Sequence, residues 1–225
     1  MFCIMKLYHG SISVIDKPEL GKGNPRNDYG LGLYCTEYLE LAQEWACSLG
    51  KDGFANCYEL DMTGLTVCDL TEHHILNWMA VLLENRTFDL SAGLASAARD
   101  YILKTFLPKY RSFDIVKGYR ADDSYFSYAK DFLNNSLSLE DLASAMKLGM
   151  LGEQIVLKSE KAFNSLVFNE AIPADSSIYH PRWTNRDQKA REDYRKMKAD
   201  SDPLAGTFII DIMRQEWTND DERLR

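Results

Sequence analysis

The chain has 225 residues, of which 45% are hydrophobic and 27% are charged. These fractions are typical of a folded, water-soluble protein and argue against disordered, collagen-like and coiled-coil chains. The 26 Lys and Arg against 34 Asp and Glu give a net charge of −8. This charge disfavours nucleic-acid binding through bulk electrostatics, although a small basic groove can exist in an acidic protein.

Cysteine usage and the N-terminal sequence indicate a reducing compartment. The five cysteines all lie in the first third of the chain and contain no Cys-x-x-Cys pair, so we expect neither a disulfide framework nor a metal site. The first residues lack the basic region, apolar run and cleavage site of a secretory signal, and no apolar run is long enough for a membrane span. We therefore expect a cytoplasmic protein, or one delivered without a classical signal peptide.

The first third of the chain predicts short strands around one long loop. Gly, Pro, Asn and charged residues concentrate in the loop, which is long enough to be functional. The predicted elements are a strand over 2–8, the loop over 16–30, a strand over 31–36, a helix over 39–49, and strands over 54–60 and 65–70.

The rest of the chain begins with a predicted helical insert over 72–107. The following predicted elements are strands over 113–119, 152–158 and 166–170, and helices over 124–134, from Ser138, over 159–163, over 185–199 and over 204–217. Strands and helices mix without regular alternation, which predicts an α+β fold. We predict one domain over 1–173 and a charged helical extension over 174–225.

Two residues stand out as candidates for a binding site, although each alone has a simpler interpretation. His9 follows an apolar strand and precedes a glycine, where a side chain can face a cleft and the backbone is open to a ligand. Tyr34 lies in a strand after two glycines, a place where aromatic rings are usually part of the core. We expect His73, His74 and His180 to be structural or solvated.

Three segments in order resemble the histidine-tyrosine-glutamate class of ADP-ribosyltransferases, which includes diphtheria toxin and the poly(ADP-ribose) polymerases. The segments are LYHGS at 7–11, YGLGLYCTE at 29–37 and EQIVLKSEKAF at 153–163. The resemblance covers about residues 6–168 and is closest to an uncharacterised bacterial family often encoded beside a small antitoxin-like protein. It implies two small β-sheets around an NAD cleft, with a helical insert.

The resemblance also implies a role for each matching residue, with NAD as co-substrate and no metal. His9 donates a hydrogen bond to the adenosine side of NAD, the Gly10 backbone holds the nicotinamide amide, and Ser11 adds a polar contact. Tyr34 stacks against the nicotinamide ring, with Trp45 as a second aromatic. Stacking fixes the ring at little entropic cost, because an aromatic side chain has few torsions to freeze.

The catalytic carboxylate implied by the resemblance is assigned to Glu153, which would bond the ribose and stabilise positive charge at the anomeric carbon. Glu153 and Gln154 are adjacent on a strand and point to opposite faces, so only one of them lines the site. If that residue is Gln154, an acceptor remains but the negative charge is lost, and turnover is slower. Arg26, in the loop, either pairs with the NAD diphosphate or is solvated.

The leading hypothesis is a mono-ADP-ribosyltransferase that transfers ADP-ribose from NAD to a cellular acceptor, protein or nucleic acid. The resemblance makes it a candidate toxin of a bacterial toxin-antitoxin pair, with a small antitoxin as partner and no membrane association. Two alternatives remain open. One is a catalytically silent module that binds NAD or ADP-ribose, and the other is an RNA 2′-phosphotransferase on the same fold, which would need a basic groove.

Overall fold

The computed structural model describes residues 3–90, 93–121, 123–146, 148, 152–202 and 205–224. Within these ranges the chain forms two small sheets and eight α-helices, which confirms the α+β class. Strands and helices follow the predicted order, with ends that differ by one to a few residues in most elements.

The first sheet is antiparallel and has three strands. Strand β1 spans Ile4–Ser11, β3 spans Gly53–Asp61 and β7 spans Leu166–Ala174, in the order β1-β3-β7. Strand β7 continues beyond residue 170, the predicted end, because its backbone pairs with β3 as far as Gly53. This pairing is a tertiary contact that the local sequence does not contain.

The second sheet has four strands in the order β2-β6-β5-β4. They span Leu33–Cys35 (β2), Val67–Asp69 (β4), Ile115–Tyr119 (β5) and Glu153–Leu157 (β6). Strands β4 and β5 are parallel, and the other pairs are antiparallel. Strand β6 is therefore central, with β2 on one side and β5 on the other.

The two sheets are joined at one point by the backbone. Tyr8 N–H donates to the Thr36 carbonyl oxygen at 2.8 Å, and Thr36 N–H donates to the Tyr8 carbonyl oxygen at 2.9 Å. A shared apolar cluster from both sheets includes Leu7, Leu60 and Ile155, all nearly inaccessible to solvent. The junction therefore brings the end of β1 beside β2.

The α-helices, in chain order, are α1 (Leu39–Ala46), α2 (Ile75–Asn85), α3 (Leu94–Phe106), α4 (Asp123–Leu133), α5 (Leu139–Ala145), α6 (Glu160–Asn164), α7 (Ser176–Asp200) and α8 (Ile209–Arg214). Helix α1 packs on the first sheet, and the helices α2, α3 and α4 share a buried cluster with residues of the second sheet. The insert predicted over 72–107 contains α2 and α3. Three predicted starts lie outside the described residues: residue 2 for the first strand, residue 91 for the second helical pattern of the insert, and residue 204 for the last helix. The predicted cap at Ser138 is confirmed, since its Oγ accepts from Asp141 N–H at 3.1 Å.

Helix α7 is longer than the predicted helix over 185–199. It begins at Ser176, because the Asp175 side chain accepts from Ser177 N–H and caps the first turn. Pro181 lies inside the helix. A proline usually ends a helical pattern, so the sequence did not predict the part of the helix that precedes Pro181.

The C-terminal region packs into the main core. Tyr194, Ile209, Ile212 and Trp217 belong to the same buried cluster as Trp78. The division into a domain over 1–173 and an extension over 174–225 stays a prediction, but the two parts share this core. None of the described helices is both long enough and apolar enough to cross a bilayer.

Candidate functional site

A cleft of about 240 Å³ lies at the junction of the two sheets. Its wall draws on β1, the long loop, β2, α1, the residue after α2, the segment after β5, and β6, so widely separated parts of the chain meet there. The lining residues are His9, Gly10, Asn27, Asp28, Tyr34, Trp45, Arg86, Arg120, Ala121 and Gln154.

The His9 ring is held by the backbone of the second sheet. Its Nδ1 lies 2.7 Å from the Tyr34 carbonyl oxygen, and since a carbonyl only accepts, Nδ1 carries the proton. Burial lowers the pKa of His9 below its usual value, because the charged ring loses its hydration. The ring is therefore neutral at pH 7, and its Nε2 is a hydrogen-bond acceptor.

Two hydrogen bonds to its hydroxyl hold the Tyr34 ring in place. The hydroxyl donates to the Gly30 carbonyl oxygen at 2.6 Å and accepts from Tyr29 N–H at 3.0 Å. Burial raises the pKa of Tyr34 well above its usual value, so the phenol stays neutral. The turn before β2 thus positions the ring that lines the cleft.

Gly10 allows α1 to approach β1 closely. A Cβ at this position would lie 2.1 Å from the Ala42 carbonyl oxygen and 2.9 Å from Trp45 Cβ, so a larger residue would displace the helix. The close approach brings Trp45 to the cleft wall, where the Arg120 guanidinium lies 4.7 Å from its ring centroid. Trp45 Nε1 is buried and has no hydrogen-bond partner among the described residues.

Strand β6 presents Gln154, and not Glu153, to the cleft. Gln154 pairs across the sheet with Gly118, is 5% exposed and lines the cleft. Glu153 points to the opposite face, as alternate residues of a strand must, and its Oε2 lies 2.8 Å from Lys117 Nζ. The assignment of the cleft position to Glu153 is therefore corrected to Gln154.

Ser11 does not line the cleft. Its hydroxyl donates to the Ser13 carbonyl oxygen and accepts from Asn56 Nδ2 at 3.1 Å. These bonds close the turn that follows β1. The expected ligand contact of Ser11 is therefore replaced by a structural role.

The cleft contains a carboxylate that the sequence analysis missed. Asp28 is 5% exposed, and its Oδ2 accepts from Ala121 N–H at 3.0 Å and from Gln154 Nε2 at 3.1 Å. Burial raises the pKa of Asp28, and the neighbouring Arg86 and the two hydrogen bonds oppose that shift. The one feature of the sequence that points to Asp28 is its position at the end of the loop, directly before the turn that begins at Tyr29.

Two arginines also line the cleft, and the sequence had not indicated either of them as a site residue. Arg86 NH1 lies 3.7 Å from Asp28 Oδ1, and its guanidinium lies 4.4 Å from the Phe126 ring centroid. Arg120 follows β5 and packs on Trp45. Arg26 is exposed and is not among the lining residues. Among the described lining residues, two guanidinium groups outweigh one carboxylate, so this part of an acidic protein favours anions.

A second cavity of about 400 Å³ adjoins the cleft and shares His9, Asn27 and Tyr34 with it. Its other walls come mostly from the long loop and include Lys17 and the ion pair between Lys22 and Glu19. The loop over 16–30 therefore contributes to the walls of both cavities. Among the described residues, no group of His, Cys, Asp and Glu is arranged to hold a metal ion.

Comparison with known proteins gives one match. A family model described as "Protein of unknown function (DUF3990)" matches residues 5–168. The matched span includes every lining residue of the cleft. No curated protein and no solved structure matches the chain.

Proposed function

The chain belongs to the DUF3990 family through residues 5–168, and we propose that this member is an NAD-dependent mono-ADP-ribosyltransferase. The observation that carries the proposal is the convergence of His9, Tyr34 and Gln154 on one cleft. These residues come from the three segments whose order resembles the histidine-tyrosine-glutamate transferases, and Gln154 is more than 100 residues away from the other two in the chain.

The protonation state of His9 supports binding of a ribose. Its Nδ1–H is committed to the Tyr34 carbonyl oxygen, so the neutral ring offers an acceptor at Nε2. A ribose hydroxyl can donate to this nitrogen. Donation by His9 to the adenosine side of NAD, which the resemblance implies, would require the imidazolium form that burial disfavours. In this proposal His9 therefore accepts a hydrogen bond from NAD.

The charge and size of the site support a dinucleotide. Sites that bury a drug-sized ligand usually have about 300–1,000 Å³, more than the 240 Å³ of the cleft. An extended NAD would place its nicotinamide side near Tyr34 and Trp45 and continue past His9 into the second cavity. Arginine and lysine side chains of the two cavities would attract its diphosphate.

Gln154 sets the expected rate of the reaction. Its Nε2 donates to Asp28, which leaves Oε1 as the acceptor for a hydroxyl of the nicotinamide ribose. An amide oxygen stabilises an oxocarbenium-like state less than a carboxylate does, since it carries no net charge. We therefore expect slower turnover than in transferases that have glutamate at this position.

Release of nicotinamide and transfer of labelled ADP-ribose test the proposal. The wild-type protein, incubated with NAD and a cell lysate, should consume NAD and label a lysate component. His9→Ala and Gln154→Ala should lower the rate about 100-fold or more, the order found when one stabilising group is removed. Glu153→Ala is the matched control on the opposite face of β6 and should keep the rate within about threefold.

Absence of both NAD loss and labelling with the wild-type protein would sink the enzyme proposal. Loss of activity in Glu153→Ala with normal activity in Gln154→Ala would reverse the assignment on β6. Mass spectrometry of the labelled component identifies the acceptor, whether protein or nucleic acid.

The proposal that the enzyme is the toxin of a toxin-antitoxin pair, acting in the cytoplasm, rests on the resemblance alone. Expression in bacteria tests it. Growth should stop with the wild-type chain and continue with Gln154→Ala, and co-expression of a small protein encoded beside it should restore growth.

A second candidate, a silent NAD or ADP-ribose binding module, is favoured by one observation: the cleft position of β6 holds an amide in place of a carboxylate. A ligand that binds only the native state raises the melting temperature by mass action. A rise in melting temperature with NAD, without nicotinamide release, would select this function over catalysis.

A further inference from the structure

Asp28 and Gln154 form a buried pair at the floor of the cleft. Both residues are 5% exposed, and Gln154 Nε2 lies 3.1 Å from Asp28 Oδ2. They come from the loop before β2 and from the centre of the second sheet, 126 residues apart. We infer that Asp28 is a positioning residue, which fixes the Gln154 amide so that Oε1, and not Nε2, is offered to a ligand.

The chemistry of the two groups determines the orientation. Asp28 Oδ2 already accepts a hydrogen bond from Ala121 N–H, so it acts as an acceptor, whereas the Gln154 amide can present either its oxygen or its nitrogen. Turning the amide over would place Oε1 beside Asp28 Oδ2 and leave two buried acceptors in contact. That arrangement costs the hydrogen bond and adds repulsion between two oxygens. Asp28 therefore selects one of the two amide orientations.

Asp28 is itself held by contacts from two other segments. Ala121 N–H, after β5, donates to Oδ2 at 3.0 Å, and Arg86 NH1, after α2, lies 3.7 Å from Oδ1. These partners fix the carboxylate in position, and they oppose the rise in its pKa that burial causes. The loop, α2, β5 and β6 thus meet at one carboxylate.

The pair also gives a physical reason for glutamine at this position of β6. A glutamate there would place a second carboxylate in contact with the buried Asp28. Two like charges in one site cannot both be ionised without a large cost, and the pKa of one carboxyl would rise strongly. Glutamine keeps an acceptor for the ligand and avoids this repulsion.

The role of Asp28 in turnover rests on the proposed function, and kinetics of NAD cleavage test it. Asp28→Ala removes the partner of the amide and should lower kcat about 10- to 100-fold, the range found for partners that orient a functional group, with KM for NAD changed less than about threefold. Asp28→Asn keeps an oxygen that accepts from Ala121 and Gln154, so it should recover most of the lost kcat. Glu153→Ala is the control.

Two kinetic results would overturn the inference. One is a folded Asp28→Ala protein with kcat within threefold of wild type. The other is an Asp28→Asn protein as slow as Asp28→Ala, since the charge and not the orientation of Gln154 would then matter. A wild-type protein without any NAD cleavage overturns the proposed function instead, and the following measurement then decides on the pair.

A double-mutant cycle, read out as melting temperatures, tests the contact between Asp28 and Gln154. It depends neither on activity nor on whether Asp28→Ala folds. At pH 8, Gln154→Glu should lower the melting temperature by about 4 °C or more, because it creates two buried like charges. In the Asp28→Asn background the same substitution should cost less than half as much. Equal losses in both backgrounds would mean that the side chains do not interact, and the inference fails.

Discussion

At the scale of single residues, the protonation of His9 has a measurable effect on stability. Burial lowers its pKa in the folded protein, whereas in the unfolded chain the pKa is near 6.5. Below about pH 6.5 the unfolded chain therefore binds a proton that the folded protein does not. The stability that the neutral ring contributes is complete above this pH and is lost as the pH falls toward the folded-state pKa.

We expect the melting temperature to fall between pH 7 and pH 5, and to fall less steeply in His9→Asn. The asparagine amide can still donate to the Tyr34 carbonyl oxygen. Burial lowers the pKa of His74 in the same direction, so the comparison of slopes isolates His9. Parallel slopes in the two proteins would contradict the prediction.

Some residues of the cleft could be predicted from the sequence, and others could not. His9, Gly10, Tyr34 and Trp45, all indicated by the sequence motifs, line the cleft. Asp28 belongs to a loop whose charges resemble ordinary solvated ones, so its burial depends on contacts with Ala121 and Gln154 that no local pattern encodes. Arg86 and Arg120 were missed for the same reason.

At the scale of elements, the contact between β1 and α1 depends on Gly10. Gly10→Ala would place a Cβ 2.1 Å from the Ala42 carbonyl oxygen, a backbone atom that no rotamer change can move. We expect a loss of about 2–3 kcal/mol in unfolding free energy, the upper part of the ~1–3 kcal/mol range for overpacking. Denaturant unfolding measures it.

Gly21→Ala is the control for this substitution. Gly21 has a φ of +85° and open space around it, so alanine there suffers only local strain of about 1 kcal/mol. An equal or larger loss in Gly21→Ala would show that α1 adapts to a side chain at Gly10.

An ion pair between Arg186 and Glu44 joins helix α7 to helix α1. Arg186 Nε and NH2 donate to the two carboxylate oxygens of Glu44, both at 2.8 Å, and the Glu44 side chain is 2% exposed. Arg186→Ala leaves this carboxylate buried, so we expect a loss of about 2–3 kcal/mol, below the ~3–5 kcal/mol of a fully buried pair because Arg186 is partly exposed. The melting temperature should fall by roughly 5–10 °C.

Arg182→Ala is the matched control on the same helix. Its partner Glu40 is 75% exposed and 3.6 Å away, and such surface pairs contribute little. If both variants melt at the same temperature, the Glu44 contact does not fasten α7 to α1.

Most of the elements themselves were predictable. Short apolar runs bounded by turn residues marked the strands, and the Ser138 cap marked the start of α5. The order β2-β6-β5-β4 was not predictable, because the pairing of β2 with β6 joins residues more than 100 positions apart. The place of β6 between β2 and β5 brings Gln154 to the cleft.

At the scale of the whole molecule, the C-terminal region is part of one core. A chain that ends at Asp175 loses Tyr194, Ile209, Ile212 and Trp217 from the main cluster. We expect this truncated chain to lack a cooperative thermal transition, since its remaining helices would expose apolar surface. Calorimetry of the truncated and full chains measures the difference.

A chain that ends at Asp220 is the control, because it keeps all four of these side chains, and it should unfold cooperatively. If the chain that ends at Asp175 unfolds at the melting temperature of the full chain, the predicted boundary at residue 173 divides two independent units.

The common wall of the two cavities has a consequence for inhibitor design. His9, Asn27 and Tyr34 belong to both cavities, so small fragments seated in each would lie on either side of the same side chains. A short linker passing His9 turns the second binding event into an intramolecular one. Such linkage can raise affinity by about 10²–10⁴ without any new contact, so two weak fragments become a route to a tight ligand.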